Sequence, residues 1–395
     1  MARSRVYQPM TTNVGDLAIG IMKVSIGAAQ DAAVPAAAST TTLGSLKDAT
    51  LSMKPTFKEH KTAYPQILDF KIADLLSANY KVGVEEIGAA QTISLLSEAL
   101  DTLNTGTPHY HSVDAISEFA NGGILRMFTP YAQLKPTLNL NFGEDFASIP
   151  FEFEALTNPS YTRKDLVYRS RLAAASRSLD NQAVTQNVEN LGIGMFQVRI
   201  GTLVFNEPTG IYSHTPVVDS TVGAAAMTEA QSIGAVKNAD LQTNPTFKEH
   251  FSGFPKVKDL IMLESSTITV STALEQISAD IAANPAAAAA SAIALKGGAT
   301  KPFDALFDGS VNGSLYYAPV EITCNLVTGG VLSFWLPNCQ IVPEADYSPG
   351  NDWASMPFKL EAQIQFDKTV PAAPVIVNRV FMNYTADPTV TAPWA

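Results

Sequence analysis

The sequence predicts a mainly β protein made of two tandem homologous β-sandwich or barrel domains, each with a flanking α-helix. Two observations lead to this prediction. The hexapeptide PTFKEH occurs at residues 55–60 and again at 245–250, which indicates an internal duplication. Apolar and polar residues alternate over many short segments, as is typical of half-buried strands, whereas helical periodicity is confined to one region of each copy.

Similarity between the two copies extends beyond the hexapeptide into three collinear blocks. The blocks are, first copy over second, 19–27 over 193–201, 43–60 over 233–250, and 122–136 over 329–343 with its continuation 145–155 over 352–362. The offset grows from 174 to 190 and then to 207 residues, so the second copy carries insertions between the blocks. We therefore expect a first domain at 1–175, a polar linker at 176–190, and a second domain at 191–395 with an Ala-rich insertion near 279–302.

Stripes with a period of two residues mark the individual strands. They lie at Leu68–Ile72, Tyr80–Val84, Leu138–Phe142 and Phe151–Phe153 in the first copy, and at Leu260–Met262, Ile268–Leu274 and Val320–Leu326 in the second. The last stripe runs into Gly329-Gly330, which favours a hairpin there. A turn at these two glycines would place Cys324 opposite Trp335 and not opposite Cys339. Both cysteines are therefore predicted to be free thiols, as is typical of a reducing compartment.

One amphipathic helix is predicted beside the strands of each copy. In the first copy it covers residues 88–103, with an apolar face of Ile93, Leu96, Leu100 and Leu103. The counterpart begins near Leu274 and is interrupted at Pro285, because proline inside a helix removes a hydrogen bond.

The composition excludes some classes of protein. The net charge is −11, opposite in sign to what phosphate contacts require, so a nucleic-acid binder is not expected. The N-terminus lacks the apolar run of a secretory signal, and no segment has the length of uninterrupted apolar sequence needed to span a membrane. Charged residues make up only 16% of the chain, which indicates that a partner covers part of its surface.

Two histidines form the sharpest candidate for a metal site. His109 and His111 would share one face of a strand and could bind a metal together. The aligned residues of the second copy are Tyr316 and Ala318, so such a site would exist in one copy only, with Asp114 as the one nearby third ligand. Two surface histidines near a loop are the favoured interpretation, and the sequence leaves open whether they have any role.

The repeated Lys-Glu-His triplet is the candidate for acid–base chemistry. On a strand Glu59 points away from His60, so it cannot orient the imidazole as the acid of a catalytic triad does. Charge matching across neighbouring strands or subunits is the favoured interpretation. The chain has no GxSxG, HExxH or phosphate-loop motif. The sequence therefore predicts a protein that is not an enzyme and that uses no metal or cofactor.

The order of these features resembles the major tail tube proteins of tailed bacteriophages. The residues that carry the resemblance are an opening strand IGIMKVSIG at 19–27, LGSLKDATL at 43–51 followed by PTFKEH, and a strand that begins near Pro65. A second strand, a helix, a glycine-turned hairpin and a closing strand follow. The resemblance implies domains that join edge to edge around a channel, in rings that stack into a tube. For a duplicated subunit it implies three chains in a pseudo-sixfold ring.

The resemblance also implies a function, partners and sites. The chain would be a structural virion protein, assembled in the host cytoplasm, that polymerises into the conduit for DNA ejection. Its partners would be other copies of itself, tail-tip and terminator proteins, and a tape-measure protein and then DNA passing without specific binding; no membrane is expected. The subunit-interface candidates are Phe57, Lys58, Glu59, His60, Phe247, Lys248, Glu249 and His250. The lumen-facing candidates are Asp69, Glu85, Asp259 and Glu275, which in the alternative interpretation belong to solvated faces.

Two rival functions accompany this hypothesis. A tail-tip or baseplate ring protein of the same fold would form single rings and would not polymerise. A two-domain β adhesin would expose an aromatic platform, but Trp335, Trp353 and Trp394 are too scattered in the sequence to form one. Two long loops poor in charge, 28–43 and 202–233, are predicted to reach the next ring.

Overall fold

The fold is mainly β, as the sequence predicts. The structure, a computed structural model, describes residues 18–34, 40–62, 67–119, 123–142, 148–162, 165–172, 191–200, 204–206, 236–253, 256–274, 315–327, 329–342, 356–363, 365–366, 374–376 and 379–385. Within these ranges it has 21 strands and one helix. The predicted linker, the Ala-rich insertion, the second helix and most of the loop 202–233 lie outside the described residues.

The first half of the chain contributes eleven strands and the helix. They are β1 (Ala18–Ala28), β2 (Thr40–Thr42), β3 (Leu46–Met53), β4 (Thr56–Thr62), β5 (Ile67–Leu76), β6 (Ala78–Val84), α1 (Ala90–Thr105), β7 (Tyr110–Phe119), β8 (Ile124–Lys135), β9 (Asn139–Phe142), β10 (Ile149–Ala155) and β11 (Tyr168–Leu172).

The second half contributes ten strands. They are β12 (Gly192–Ile200), β13 (Val204–Asn206), β14 (Val236–Ser252), β15 (Lys256–Leu274), β16 (Leu315–Leu326), β17 (Val331–Val342), β18 (Met356–Ala362), β19 (Gln365–Phe366), β20 (Pro374–Ile376) and β21 (Phe381–Thr385). At the offset of 207 residues, β8 and β10 coincide with β17 and β18 at both ends.

The two large sheets have the same order of equivalent strands. The first sheet runs β1-β7-β8-β10-β6-β3, and the second runs β12-β16-β17-β18-β15-β14, each strand standing where its aligned counterpart stands. The strands β11 and β21 likewise add to the equivalent strands β8 and β17. Two sequences that have diverged at most positions thus specify one topology twice, in agreement with the internal repeat.

The helix α1 packs its apolar side on the core. Leu96, Leu100 and Leu103 are buried, as the periodicity predicts, and Ile93 is half-buried against the same cluster. The helix begins and ends two residues later than predicted, at Ala90 and Thr105. It stops at Gly106, whose φ of 78° belongs to the left-handed region that favours glycine at a helix C-terminus. No helix in the described ranges has the length and apolar character needed to cross a membrane.

The cysteine hairpin is shifted from the prediction. Cys324 pairs with Leu332, and the residue opposite Trp335 is Glu321, so the predicted register was wrong. The reason is that the turn centres before the two glycines: Leu326 donates its N–H to Gly330 O at 2.8 Å, and Gly329 adopts a φ of 91°. Both thiols are nevertheless free, as predicted, and both are buried. Burial raises the pKa of Cys324 to about 11.

Candidate subunit interface

The two halves of the chain join through a strand that crosses from one to the other. β9 of the first half pairs antiparallel with the edge of β14, setting Leu140 opposite Leu241. The contact begins where Thr243 donates its N–H to Leu138 O at 2.8 Å and accepts the Leu138 N–H on Oγ1 at 2.7 Å. A first-half strand therefore satisfies the edge of the second sheet, which would otherwise present unpaired backbone groups.

A buried cluster of charges lies beside this crossing. The β14–β15 hairpin of the second half extends over the polar face of the first sheet. There Lys258 places its Nζ 2.8 Å from Glu154 Oε1 and 2.6 Å from Glu249 Oε1. Lys258 and Glu154 are both buried, so their charges depend on one another for compensation.

A second lysine extends this cluster across the first sheet. Lys135 Nζ lies 2.7 Å from Glu154 Oε2 and 3.2 Å from Glu152 Oε1. Burial alone would lower the pKa of Lys135, but its bonds to the two glutamates hold that pKa above its ordinary value. Burial would likewise raise the pKa of Glu152, but the hydrogen bond from Asn79 and the charge of Lys135 hold it below its usual range. These groups are therefore charged at neutral pH.

A cation–π contact and two hydrogen bonds to backbone oxygens complete the junction. Lys135 Nζ lies 5.7 Å from the ring centroid of Phe247, within the range of a cation–π contact. Gln133 donates from Nε2 to Ile261 O at 3.1 Å, and Thr157 donates its N–H to Lys258 O at 3.1 Å. The second copy of PTFKEH therefore lies at a junction between the two halves of the chain.

The C-terminal end of α1 is also held by the second half. Arg379 donates from Nη2 to Leu103 O at 2.8 Å, and its guanidinium also donates to the carbonyl and hydroxyl oxygens of Ser266 on β15. Asn104 donates from Nδ2 to Val380 O at 2.8 Å. A positive charge at a helix C-terminus complements the helix dipole, and through these bonds Arg379 ties the end of α1 to β15 of the second half.

The first half presents the equivalent edge without a partner strand in the described part of the chain. β3 pairs with β6 on one side and ends the first sheet on the other. Lys54 donates its N–H toward β6, to Ser77 O at 3.1 Å. Because N–H direction alternates along a strand, Ala49, Leu51 and Met53 direct theirs to the open side. At the 190-residue offset these three correspond to Ala239, Leu241 and Thr243, the residues that face β9.

The predicted interface residues of the first copy lie on the β4–β5 hairpin. Lys58 Nζ lies 3.0 Å from Asp74 Oδ1, and Lys71 Nζ lies 2.6 Å from Glu59 Oε1. Phe57 is 53% exposed. Cross-strand ion pairs such as these agree with the interpretation of the triplet as charge matching. The side chains of His60 and Asp69 lie outside the described part of the structure, and Glu275 lies outside the described residues altogether.

The predicted interface residues of the second copy divide between two environments. Phe247 and Glu249 take part in the junction described above. Lys248 and His250 point to solvent, with Lys248 Nζ 2.9 Å from Glu264 Oε1 and His250 Nδ1 2.8 Å from Asp259 Oδ1. The repeated sequence did not indicate which of the four side chains face the other half, and their predicted contact with another subunit stays a prediction.

Two of the lumen candidates have described side chains. Glu85 is half-buried and accepts a hydrogen bond from Ser45 Oγ at 3.0 Å. Burial would raise the pKa of Asp259, but hydrogen bonds from His250 and Ser252 and the charge of His250 hold it below its usual range. Both carboxylates have partners within their own half of the chain.

The two histidines of the first copy face acidic residues of α1. His109 Nε2 lies 2.8 Å from Asp101 Oδ2, and His111 Nε2 lies 2.6 Å from Glu98 Oε2. The described residues contain no group of three His, Cys, Asp or Glu side chains arranged to hold a metal. The arrangement ties β7 to the helix that covers the core.

We expect the contact between Glu98 and His111 to make stability depend on pH. Burial would raise the pKa of Glu98, but the hydrogen bond and charge of His111 hold it below its ordinary value of 4.5. A lowered folded pKa contributes stability above the unfolded value and loses it as pH falls through the folded one. Glu98→Gln should therefore cost about 1 kcal/mol at neutral pH, as a partly buried pair does, and progressively less below about pH 4. Urea unfolding of both proteins across pH measures this difference, and a gap that stays constant with pH would contradict the assignment.

Three elements of the junction were not predicted from the sequence. Lys258 aligns with Leu68, so a search guided by repeated residues passes over it. Arg379 lies beyond the last aligned block. The strand at Leu138–Phe142 was correctly predicted, but its pairing with the other half was not, because alternation does not specify a partner strand. No family model matches the chain, and a comparison with curated proteins finds no match.

Proposed function

We propose that the chain is a structural subunit of a bacteriophage tail tube, in which three copies form a ring of six similar β units and the rings stack into a hollow conduit for DNA. The observation that carries the proposal is the pair of sheets with equivalent strand order in one chain, with a strand of the first half added to the edge of the second sheet. Such a chain favours assembly with further copies, because one of its two equivalent edges is paired internally and the other has no partner strand in the described residues.

The form of the junction favours a ring. β9 and the β8–β10 face of the first half meet β14 and β15 of the second half, so the two contacting surfaces are different. Contacts between unlike surfaces propagate around an axis and close when the rotation permits. Repetition of this contact between chains would alternate first and second halves around the ring.

The charge of the chain suits a conduit. The net charge of −11 disfavours binding of the phosphate backbone, so DNA can pass without specific contacts. The partners proposed for the ends of the tube are tail-tip and terminator proteins, with a tape-measure protein in the lumen during assembly. The proposed location is the virion tail, and the proposed role involves no enzymatic step.

Negative-stain electron microscopy of the purified protein tests the proposal. We expect hollow tubes of uniform diameter whose lengths are multiples of one ring height. Isolated rings that never stack would instead favour the tail-tip or baseplate alternative. A protein that remains monomeric at every concentration and ionic strength would refute both.

A further inference from the structure

We infer that the junction inside the chain is repeated between chains, with the β3–β4 edge of one molecule docking on the β17–β18 face of a second copy. In this contact Gln340, Val342 and Glu361 of the second copy take the places that Gln133, Lys135 and Glu154 hold inside the chain. The inference rests on the proposed ring assembly and assigns the surfaces that form it.

The backbone groups of the two equivalent edges match. The N–H and C=O groups that β14 uses to bind β9 belong to the residues equivalent to Ala49, Leu51 and Met53. Both edges therefore present the same alternation of outward-facing groups. The edge of β14 is paired by β9 of the other half, and we assign the open edge of β3 to the second half of another molecule.

Large apolar side chains are exposed beside the open edge. Met53 and Phe57 are 59% and 53% exposed, which places two large apolar side chains beside the open edge. Ile72 is also exposed, but it pairs with Lys58 and therefore lies on the opposite face of the hairpin from Phe57. The counterpart of Phe57 is Phe247, which is half-buried where it packs against Lys135 of the other half. An apolar patch next to an open edge favours a protein surface as its partner.

The β17–β18 face, here called the acceptor face, matches the β8–β10 face that binds the β14–β15 hairpin inside the chain. Gln340 lies opposite Glu361 on neighbouring strands, just as Gln133 lies opposite Glu154. Val342 stands in the place of Lys135, so Phe57 would meet an aliphatic side chain where Phe247 meets an ammonium group. All three acceptor residues are half-buried and none belongs to the internal junction.

The second half of the same chain does not pair with the open edge in the described residues. It contacts the first half through β8, β9 and β10 and at the end of β5, where Lys256 and Val257 pair with Leu75 and Leu76, whereas β3 is the last strand of the first sheet. We therefore assign the occupant as a second half from a different molecule. This arrangement makes the contact head-to-tail, with one donor edge and one acceptor face on every chain.

Two complementary variants test the inference. Phe57→Asp disables the donor edge and leaves the acceptor face intact, whereas Val342→Asp does the reverse. Each variant alone should remain monomeric under conditions in which the unaltered protein assembles. An equimolar mixture should give a dimer containing one copy of each variant and nothing larger, because only one competent donor and one competent acceptor remain. Phe57→Leu, which keeps the patch apolar, is the control and should assemble normally. Analytical ultracentrifugation measures all four samples.

Residue-resolved hydrogen–deuterium exchange provides a measurement that needs no variant. The amides of Ala49, Leu51 and Met53 should exchange at least tenfold more slowly in the assembled protein than in the dissociated chain. Normal assembly of both aspartate variants, or unchanged exchange at these amides in assembled protein, would overturn this inference and leave the proposed function standing. Failure of the unaltered protein to assemble at all would overturn both.

Discussion

Replacing Lys258 with alanine is expected to lower the free energy of unfolding by about 3 kcal/mol, because removal of one partner leaves a buried charge uncompensated. Glu154 is the residue left behind: it is buried, and it would keep the 2.7 Å contact with Lys135 and a 3.5 Å hydrogen bond from Asn79 Nδ2. These remaining contacts place the expected loss at the lower end of the range for broken buried ion pairs. Urea denaturation followed by tryptophan fluorescence measures the change.

The matched control for this prediction lies on the same hairpin. Lys248 also forms an ion pair across the two strands, with Glu264, but both side chains are largely exposed. Lys248→Ala should therefore change the free energy of unfolding by less than about 1 kcal/mol. Equal effects of the two substitutions would show that the cluster around Lys258 does not hold the halves together.

Replacing Arg379 with alanine is expected to cost about 2 to 3 kcal/mol, because it removes charge-assisted hydrogen bonds from partly buried acceptors. The substitution would leave Leu103 O at the end of α1 and the oxygens of Ser266 without this donor. The end of the helix should then fray from the core. Hydrogen exchange of the amides at 100–106, together with urea unfolding, measures both consequences.

A more conservative substitution separates charge from geometry at the same site. Arg379→Lys keeps the positive charge near the helix C-terminus but cannot reach Leu103 and Ser266 together, because lysine lacks the planar fork of donors. It should recover less than half of the lost stability. Arg169→Ala, on the exposed side of β11, should leave stability within about 0.5 kcal/mol of the unaltered protein. Full recovery by lysine would mean that the helix dipole, and not the bridge to β15, explains the role of Arg379.

Local patterns were sufficient to predict much of the fold. Alternation found the strands around Tyr80, Phe151 and Ile268, and the spacing of Leu96, Leu100 and Leu103 found α1 to within two residues at each end. These signals depend on which side of an element is buried, and that information is local in sequence.

Strand register and strand partners were harder to predict. The partner of Cys324 depends on the residue at which the hairpin turns. The glycine pair indicated a turn centred between Gly329 and Gly330, whereas the observed turn is centred before them. The crossing of β9 depends on a contact between residues about 100 positions apart in sequence, as between Leu138 and Thr243. Nothing in either strand alone specifies such a contact.

The internal repeat helped to select candidate residues, but it also misdirected part of that selection. It identified PTFKEH in both halves, but it gave equal weight to positions that have diverged in function. Asp114 and Glu321 illustrate the divergence, since they are equivalent buried acids that pair with arginines on different strands, Arg126 on β8 and Arg199 on β12. Similar divergence produced Lys258, whose contacts appear only when the two halves are placed together.

Cryo-electron microscopy of the assembled protein, at a resolution that traces strands, tests most directly whether one kind of junction joins the halves within chains and between them. We expect threefold rings in which six similar junctions alternate around a hollow axis, three inside chains and three between them, with the Ala49–Met53 edge hydrogen-bonded to a neighbouring molecule. Rings whose contacts between chains leave that edge in solvent, or use surfaces unrelated to the internal junction, would contradict the account.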